Sequence, residues 1–393
     1  DFRCSPNNID PIIRGDSAGN KILAGAYRIL AVWNCIPTVS LRLPAVQLRR
    51  LQLLEKANME LGSLNAYAEL IPNIDIYIRM HIHVEANKSS KIEGTKTTIE
   101  EDMLPLMEVD PEKRDDVQEV QNYIAALQYG VERITKDGFP VSSRLIREIH
   151  RCLMNGVRGE FKTPGEFRLS QNWIGGSMPS KAAYVPPAHM HIPQLMSDLE
   201  QFIHNDSIDV PMLVKAALVH YQFESIHPFL DGNGRTGRIL IPLMLLHEGL
   251  LRKPCFYISE YFDLHRTEYY DALNRVRTHN DLLGWLLFFL EASVSTAEEA
   301  RKKFSNAVAF VGETSRIARQ LSGKTDNLMR VLDVFFEKPV QTAIQLAATL
   351  ELSTQTVNRA LNQLIQENLI EEKTGNARNR VFVCKGYLDI FQA

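Results

Sequence analysis

The sequence predicts a mainly α-helical fold with one small β-hairpin, joined to a separate helical unit that ends in two short strands. Three observations predict it. Apolar residues recur at helical spacing over most of the 393 residues. Proline and glycine concentrate in one stretch, Phe161 to Pro187, where the helical pattern stops. The composition then shifts after about Ser295, and a new pattern begins near Asp326. Bulk composition agrees: 45% hydrophobic and 23% charged residues are ordinary for a soluble globular protein. At about 150 residues per domain, the length suggests two or three domains. The 44 Lys and Arg against 47 Asp and Glu give a net charge of −3. That balance argues against a surface coated for bulk nucleic-acid binding, though a local basic patch stays compatible with it. The longest apolar run, Ile239–Leu246, ends at His247. It falls far short of the ~20 residues that span a bilayer, so no membrane partner is expected. The segment DFRCSPNNIDP has no basic start followed by an apolar run and is not read as a signal peptide. Cys4, Cys35, Cys152, Cys255 and Cys384 are odd in number and scattered, with no C-x-x-C. Reduced thiols in a cytoplasmic protein are the expectation.

Each element follows from local pattern. Pro44–Met59 reads as an amphipathic helix with Val46, Leu48, Leu51 and Leu54 on one side. Ile76–Lys88, Asp116–Val131 and Ser142–Asn155 continue the helical period. Between Phe161 and Pro187 the punctuation predicts loops and a short hairpin near Asn172–Tyr184. Pro211 can open the next helix at its first turn, and that helix runs to about Ser225. Another runs from about Gly234 to His247 and stops at Gly249. Because Ile239–Leu246 is apolar on every side, this helix is expected at the buried centre. A charged connecting helix is expected over Thr296–Ser322. Helices at Leu328–Phe336, Ala343–Leu350 and Thr354–Glu367 follow, with a tight break at Glu351-Leu352-Ser353. Two strand-like runs around Gly375-Asn376 close the chain. That order is the order of a winged helix-turn-helix. The expected partition is 1–105, 106–295, 296–325 and 326–393.

The segment that carries chemistry is HPFLDGNGRTGR, His227 to Arg238, between two helices. Gly232, Asn233 and Gly234 are expected just before the second helix, where backbone N–H groups converge and the helix terminus adds positive partial charge. Arg235 and Arg238 are three residues apart and share a helical face. Together these residues make a polyphosphate cradle. Asp231 is the one carboxylate inside it, and a lone carboxylate beside phosphates suits Mg²⁺, which keeps several waters. His227 is the expected general base, since imidazole titrates near neutrality. No G-K-[ST] follows the glycines, so the segment is not a P-loop.

This segment resembles the signature of Fic-domain proteins, H-P-F-x-[DE]-G-N-G-R-x-x-R, over its whole length. PGEFR at Pro164–Arg168, AYVPP at Ala183–Pro187 and SEYF…EYYDAL at Ser259–Leu273 extend the resemblance to roughly residues 30–300. The resemblance implies a Fic-type helical bundle with a hairpin flap. It implies transfer of AMP from ATP, with Mg²⁺, to a Tyr, Thr or Ser hydroxyl of a target protein or of the chain itself. His227 would accept the hydroxyl proton and Asp231 would hold the Mg²⁺. Asn233 and neighbouring amides would bind the charge growing on the α-phosphate. Arg235 and Arg238 would hold the β- and γ-phosphates. The hairpin near Ile174, Gly175 and Gly176 resembles the family's flap, which aligns the target by strand-like pairing. Tyr270 and Leu273 are candidates for the adenine pocket, with ordinary helix packing as their competing reading. Phosphorylating relatives carry Lys where this chain has Gly234, which favours AMP transfer. A different nucleotide donor, or de-AMPylation, stays open.

Ser89-Ser90-Lys91-Ile92-Glu93-Gly94 resembles the family's inhibitory motif, [ST]-x-x-x-E-[GN], through Ser89, Glu93 and Gly94. It implies autoinhibition: Glu93 paired with Arg238 would take the cation that the γ-phosphate needs. His81-Ile82-His83 and His189-Met190-His191 lack the further ligands of a metal site and are read as helix or loop histidines. Trp33, Trp173 and Trp285 are read as packing residues, with Trp173 also placed at the border of the flap. In the C-terminal unit, Thr354, Gln355, Asn358 and Arg359 could face a major groove, with Arg378 and Arg380 on the wing. Residues 325–393 nevertheless carry 7 Lys and Arg against 8 Asp and Glu, without the positive excess that phosphate binding favours. DNA binding therefore competes evenly with protein interaction or homo-oligomerisation. The second function class is a DNA-binding regulator whose Fic domain modifies itself or senses nucleotide.

Overall fold

The structure is a computed structural model that describes residues 45–156, 161–207, 210–321, 326–375 and 380–392. Cys4, Trp33, Cys35, Pro44, Asn376 and Arg378 lie outside the described residues. The elements run α1 (Ala45–Leu70), α2 (Ile74–Glu93), α3 (Arg114–Thr135), α4 (Ser143–Leu153), α5 (Ile192–Ile203), α6 (Met212–Ile226) and α7 (Asn233–His247). Then follow α8 (Ser259–Leu264), α9 (Arg266–His279), α10 (Leu282–Leu321), α11 (Asn327–Glu337), β1 (Val340–Thr342), α12 (Ala343–Leu350) and α13 (Thr354–Gln366). The chain closes with β2 (Glu371–Glu372), β3 (Val381–Val383) and α14 (Lys385–Gln392).

The first helix corrects the expected inner face. Leu51 is 52% exposed, and the buried stripe of α1 is Ala57, Leu61, Leu64 and Ala68, at spacings of four, three and four. The segment expected as a separate connecting helix is the second half of the continuous 40-residue α10. Among the described residues, no helix is long and apolar enough to cross a membrane.

The chain divides into two compact units. One comprises the chain up to Leu61, Ala125–Leu251 and Leu264–Val294. At its heart α6 packs against α7, with α5 on α6 and α4 on α7. Phe223, Ile226, Ile239 and Leu243 are fully buried there. Burial of one such side chain stabilises by roughly 1.5–3 kcal/mol. At Gly237 the approach is close: a Cβ there would sit 3.1 Å from the Phe223 ring and 2.4 Å from the carboxylate end of Glu224, so both side chains would have to give. Trp285 of α10, fully buried, donates from Nε1 to Ala217 O at 2.9 Å. This confirms its reading as a packing residue.

The other unit comprises Gly62–Ile124, Arg252–Asp263 and the chain from Ser295. It holds α2 and a winged helix-turn-helix. The antiparallel sheet has the order β1-β3-β2, with Gln341 and Glu372 both opposite Phe382. Glu351 in the left-handed region (φ 54) makes the tight turn, and Ser353 Oγ then caps α13 by accepting from Thr356 N. The α11 helix packs on α13 and on α2, and α14 also packs on α2. The buried Glu85 of α2 accepts from Tyr123 Oη at 2.8 Å and from Ser259 N at 3.0 Å. Among the elements that the sequence pattern did not give, beside the helices α5, α8 and α9, are β1 and α14. A three-residue strand has no readable period, and β1 is defined only by its pairing with β3.

Candidate active site

The α6 helix ends at Ile226, and His227 caps it in the left-handed region (φ 50, ψ 60), donating its N–H to Phe223 O at 2.9 Å. The chain then drops through the fully buried Phe229 to Gly232 (φ 71), the N-cap of α7. The helix starts at Asn233, so Asn233 and Gly234 belong to its first turn rather than to the loop before it. Asn233 grips Phe229 from both ends: its Oδ1 accepts from Phe229 N at 2.8 Å and its Nδ2 donates to Phe229 O at 2.9 Å. Gly232 N donates to Asp231 Oδ1 at 2.6 Å, and Thr236 Oγ1 donates to Gly232 O at 2.8 Å.

Arg235 and Arg238 lie on the first turns of α7 and are 3% and 1% exposed. Two buried guanidinium groups beside a helix N-terminus favour a bound polyanion. Asp231 is half exposed, with Oδ1 3.9 Å from Arg235 Nη2. Among the described residues, no group of three or more His, Cys, Asp or Glu could hold a metal ion. A single accessible carboxylate instead fits Mg²⁺ that arrives on nucleotide phosphates, since Mg²⁺ uses one or two carboxylates plus phosphate and water oxygens.

Several residues that the sequence reading gave no role complete this surface. His150 of α4 stacks on Phe229, with ring centroids 3.7 Å apart. Gly165 N donates to His150 Nδ1 at 2.8 Å, which assigns the ring proton to Nε2, 3.0 Å from Asp231 O. Burial pushes this imidazole down to about 4, and the Arg235 charge adds to the effect, so it is neutral and fixed in one tautomer. The second is Arg168, fully buried, whose Nε donates to His227 O at 3.0 Å. PGEFR was visible as a motif, but no pattern says that its last residue turns inward.

The hairpin expected at Asn172–Tyr184 is reduced to one bridge, Ile174 with Tyr184. Gly175 (φ 69) and Gly176 (φ 73) make its turn and are exposed, as is Trp173. Tyr184 Oη donates to Ser225 O at 2.7 Å, and Arg277 lies 3.8 Å over the Tyr184 ring. On α9, Leu273 is buried and Tyr270 is 36% exposed. In the second unit, Ser89 is fully buried in the last turns of α2, Glu93 is its exposed final residue, and Gly94 (φ 110) caps it. His81 is a buried helix residue edge-on to Tyr257 and Phe304. His189 and His191 sit in a single 3-10 turn. On the wing, the guanidinium of Arg380 bonds Glu372.

Comparison with known proteins agrees with this geometry. Residues 51–132 match the Fic/DOC family N-terminal region, and residues 140–245 match the Fic/DOC family. The chain carries a Fic domain. Residues 324–371 match a winged helix-turn-helix DNA-binding family. The protein adenylyltransferase Fic of Aedes aegypti is 32% identical to the Fic-bearing chain over 194 residues, 49% of this chain and 36% of the relative. That of Culex quinquefasciatus is 28% identical over 257 residues, 64% of this chain and 47% of the relative. The chain thus spans less than half the length of these curated relatives. Among solved structures, a Fic family protein from Desulfovibrio desulfuricans aligns with a TM-score of 0.53 at 21% identity, covering 88% of this chain and 97% of that one. A Fic domain containing signaling protein from Bacteroides thetaiotaomicron aligns with 0.52 at 20%, covering 64% and 96%. These two likenesses support the Fic fold.

Proposed function

We propose that the chain is an autoinhibited protein adenylyltransferase. The observation that carries this reading is the His227–Arg238 segment. It combines a histidine on a left-handed helix cap, a glycine N-cap and two buried arginines on the next helix. His227 takes the proton from a Tyr, Thr or Ser hydroxyl of a target or of the chain itself. The freed oxygen bonds to the α-phosphorus of ATP as the bond to pyrophosphate breaks. Arg235 and Arg238 hold the β- and γ-phosphates. The Asn233 and Gly234 amides, at the helix N-terminus that Gly232 caps, stabilise charge on the α-phosphate. Asp231 is the residue that would hold Mg²⁺, which when bound neutralises phosphate charge as pyrophosphate leaves. The exposed backbone around Ile174, Gly175 and Gly176 receives the target segment, and Tyr270 and Leu273 border the adenine. Glu93, with Ser89 and Gly94 shaping the end of its helix, restrains the reaction by competing for Arg238.

Radiolabelled ATP tests this reading. Glu93→Gly is expected to raise self-AMPylation above wild type, and His227→Ala to abolish it. A Glu93→Gly variant at wild-type level would remove the brake from the account.

A second reading, DNA binding by the winged helix, is favoured by one observation. Gln355, Asn358, Arg359, Asn362, Gln363 and Gln366 line an open concavity along α13, a set of side chains able to read base edges. A gel shift with the full chain at low and moderate salt should retard duplex DNA. Free migration at both salts would leave the winged helix as a protein-interaction module.

A further inference from the structure

Arg168 is among the largest fully buried side chains of the molecule, and the hydrogen bonds of its guanidinium all go to backbone carbonyls. Nε donates to His227 O at 3.0 Å, Nη1 to Ser170 O at 3.0 Å, and Nη2 to Pro187 O at 2.5 Å. Its own backbone N–H donates to Pro228 O at 2.9 Å. One residue therefore holds three places at once. It fixes two consecutive carbonyls of the turn that presents His227, and it ties that turn to the chain entering the flap (Ser170) and to the chain leaving it (Pro187).

Two facts say that this arrangement is more than filling. His227 sits in a left-handed conformation that a non-glycine residue adopts only when its surroundings hold it there. Arg168 bonds the carbonyl of the peptide plane that follows His227, and its own N–H bonds the carbonyl of the next plane, at Pro228. Burial also pulls the Arg168 guanidinium down to about 10, against an ordinary value above 12. A cation so deeply placed is tolerated where carbonyl dipoles point at every arm. An apolar side chain would fill the same space without that desolvation, but it could not link three backbone segments.

We infer that Arg168 is a positioning residue that sets the spacing between the flap and the His227 ring. This rests on the adenylyltransferase reading, in which the flap aligns the hydroxyl and His227 removes its proton. A lysine keeps the charge but replaces the planar fork with one ammonium, so it cannot hold all three carbonyls in this geometry. Misplacing reacting groups by about 1 Å lowers a rate by up to roughly 100-fold.

The test compares Glu93→Gly with Glu93→Gly/Arg168→Lys. The expected result is a fall of about 10- to 100-fold in kcat for AMP transfer. ATP affinity should stay within about 2-fold, because the phosphate-binding arginines are elsewhere, and 2-fold is under 0.5 kcal/mol. Hydrogen exchange at the cross-flap amides of Ile174 and Ala183 should quicken in the double variant, and this readout needs no catalysis. Transfer at the Glu93→Gly rate would overturn the inference. So would a loss of ATP binding matching the loss in kcat, unchanged exchange at the flap, or collapse of the cooperative melt, which would make Arg168 a core residue only. If Glu93→Gly transfers nothing, the adenylyltransferase reading fails, and flap exchange still decides whether Arg168 couples the flap to the turn.

Discussion

At the scale of single residues, the site is organised by buried polar groups whose protonation is fixed by their surroundings. His150 accepts from Gly165 N–H and gives its one proton to Asp231 O. His220 lies between Gly237 O at 3.1 Å and Tyr269 Oη at 2.8 Å. Burial holds His150 down to about 4 and His220 to about 3, against 6.5 for a free imidazole. Below pH 6.5 the unfolded chain binds protons that the folded chain refuses, so stability is full above that pH and falls toward pH 4. The loss reaches about 1.4 kcal/mol per pH unit for each histidine. Thermal melts from pH 7.5 to 5 should show this decline, and His150→Gln should remove its share of the slope. An unchanged slope in that variant would contradict a neutral, buried His150. The motif histidine was legible in the sequence because it stands in a twelve-residue pattern with glycines and arginines. His150 was not, because a buried neutral imidazole on an amphipathic helix has the same sequence pattern as any half-apolar position.

At the scale of elements, legibility followed pattern length. The α7 helix was readable because its apolar run is continuous and Gly249 punctuates its end, and α13 because Val357, Leu361 and Leu364 repeat at helical spacing and are buried. The flap was readable as glycine and proline punctuation, but its extent was not. One bridge, two left-handed glycines and a single 3-10 turn at Pro179–Lys181 are its regular structure. An isolated hairpin of that size is marginal, so its order comes from its ties at Tyr184 and Arg168. Gly176 is where this element should fail first. A Cβ there would lie 2.4 Å from Lys181 O, on a backbone with φ 73. Gly176→Ala should quicken amide exchange at Ile174 and Ala183 by about 10-fold, which is about 1.4 kcal/mol of local opening. The thermal melt should stay close to wild type, because the hairpin lies outside the α6–α7 core. Unchanged exchange would mean that the flap turn tolerates a side chain.

At the scale of the whole molecule, sequence order and compactness part company. The Ser89–Gly94 segment and the winged helix are more than two hundred residues apart in sequence, yet they belong to one compact unit. The link is α2. Both α11 and α14 pack on it, Arg79 pairs with Glu337 at 3.1 Å, and Lys373 pairs with Glu100 at 3.1 Å. The α2 helix extends past the expected Ile76–Lys88 at both ends, and Ser89, Ser90 and Ile92 of its last turn are buried. Removing residues 326–393 should therefore expose apolar surface on α2 and speed exchange throughout Ile74–Glu93. Unchanged protection of that helix would show that it stands without the winged helix.

In the proposed function the His227–Arg238 segment transfers AMP and Glu93 restrains it. Intact mass spectrometry of Glu93→Gly, incubated with ATP and Mg²⁺ beside Glu93→Gly/His227→Ala, tests it most directly. A mass increase of one adenylyl group or more is expected on the first protein and none on the second. An unmodified first protein, a phosphoryl increment, or the same adenylyl addition on both would contradict it.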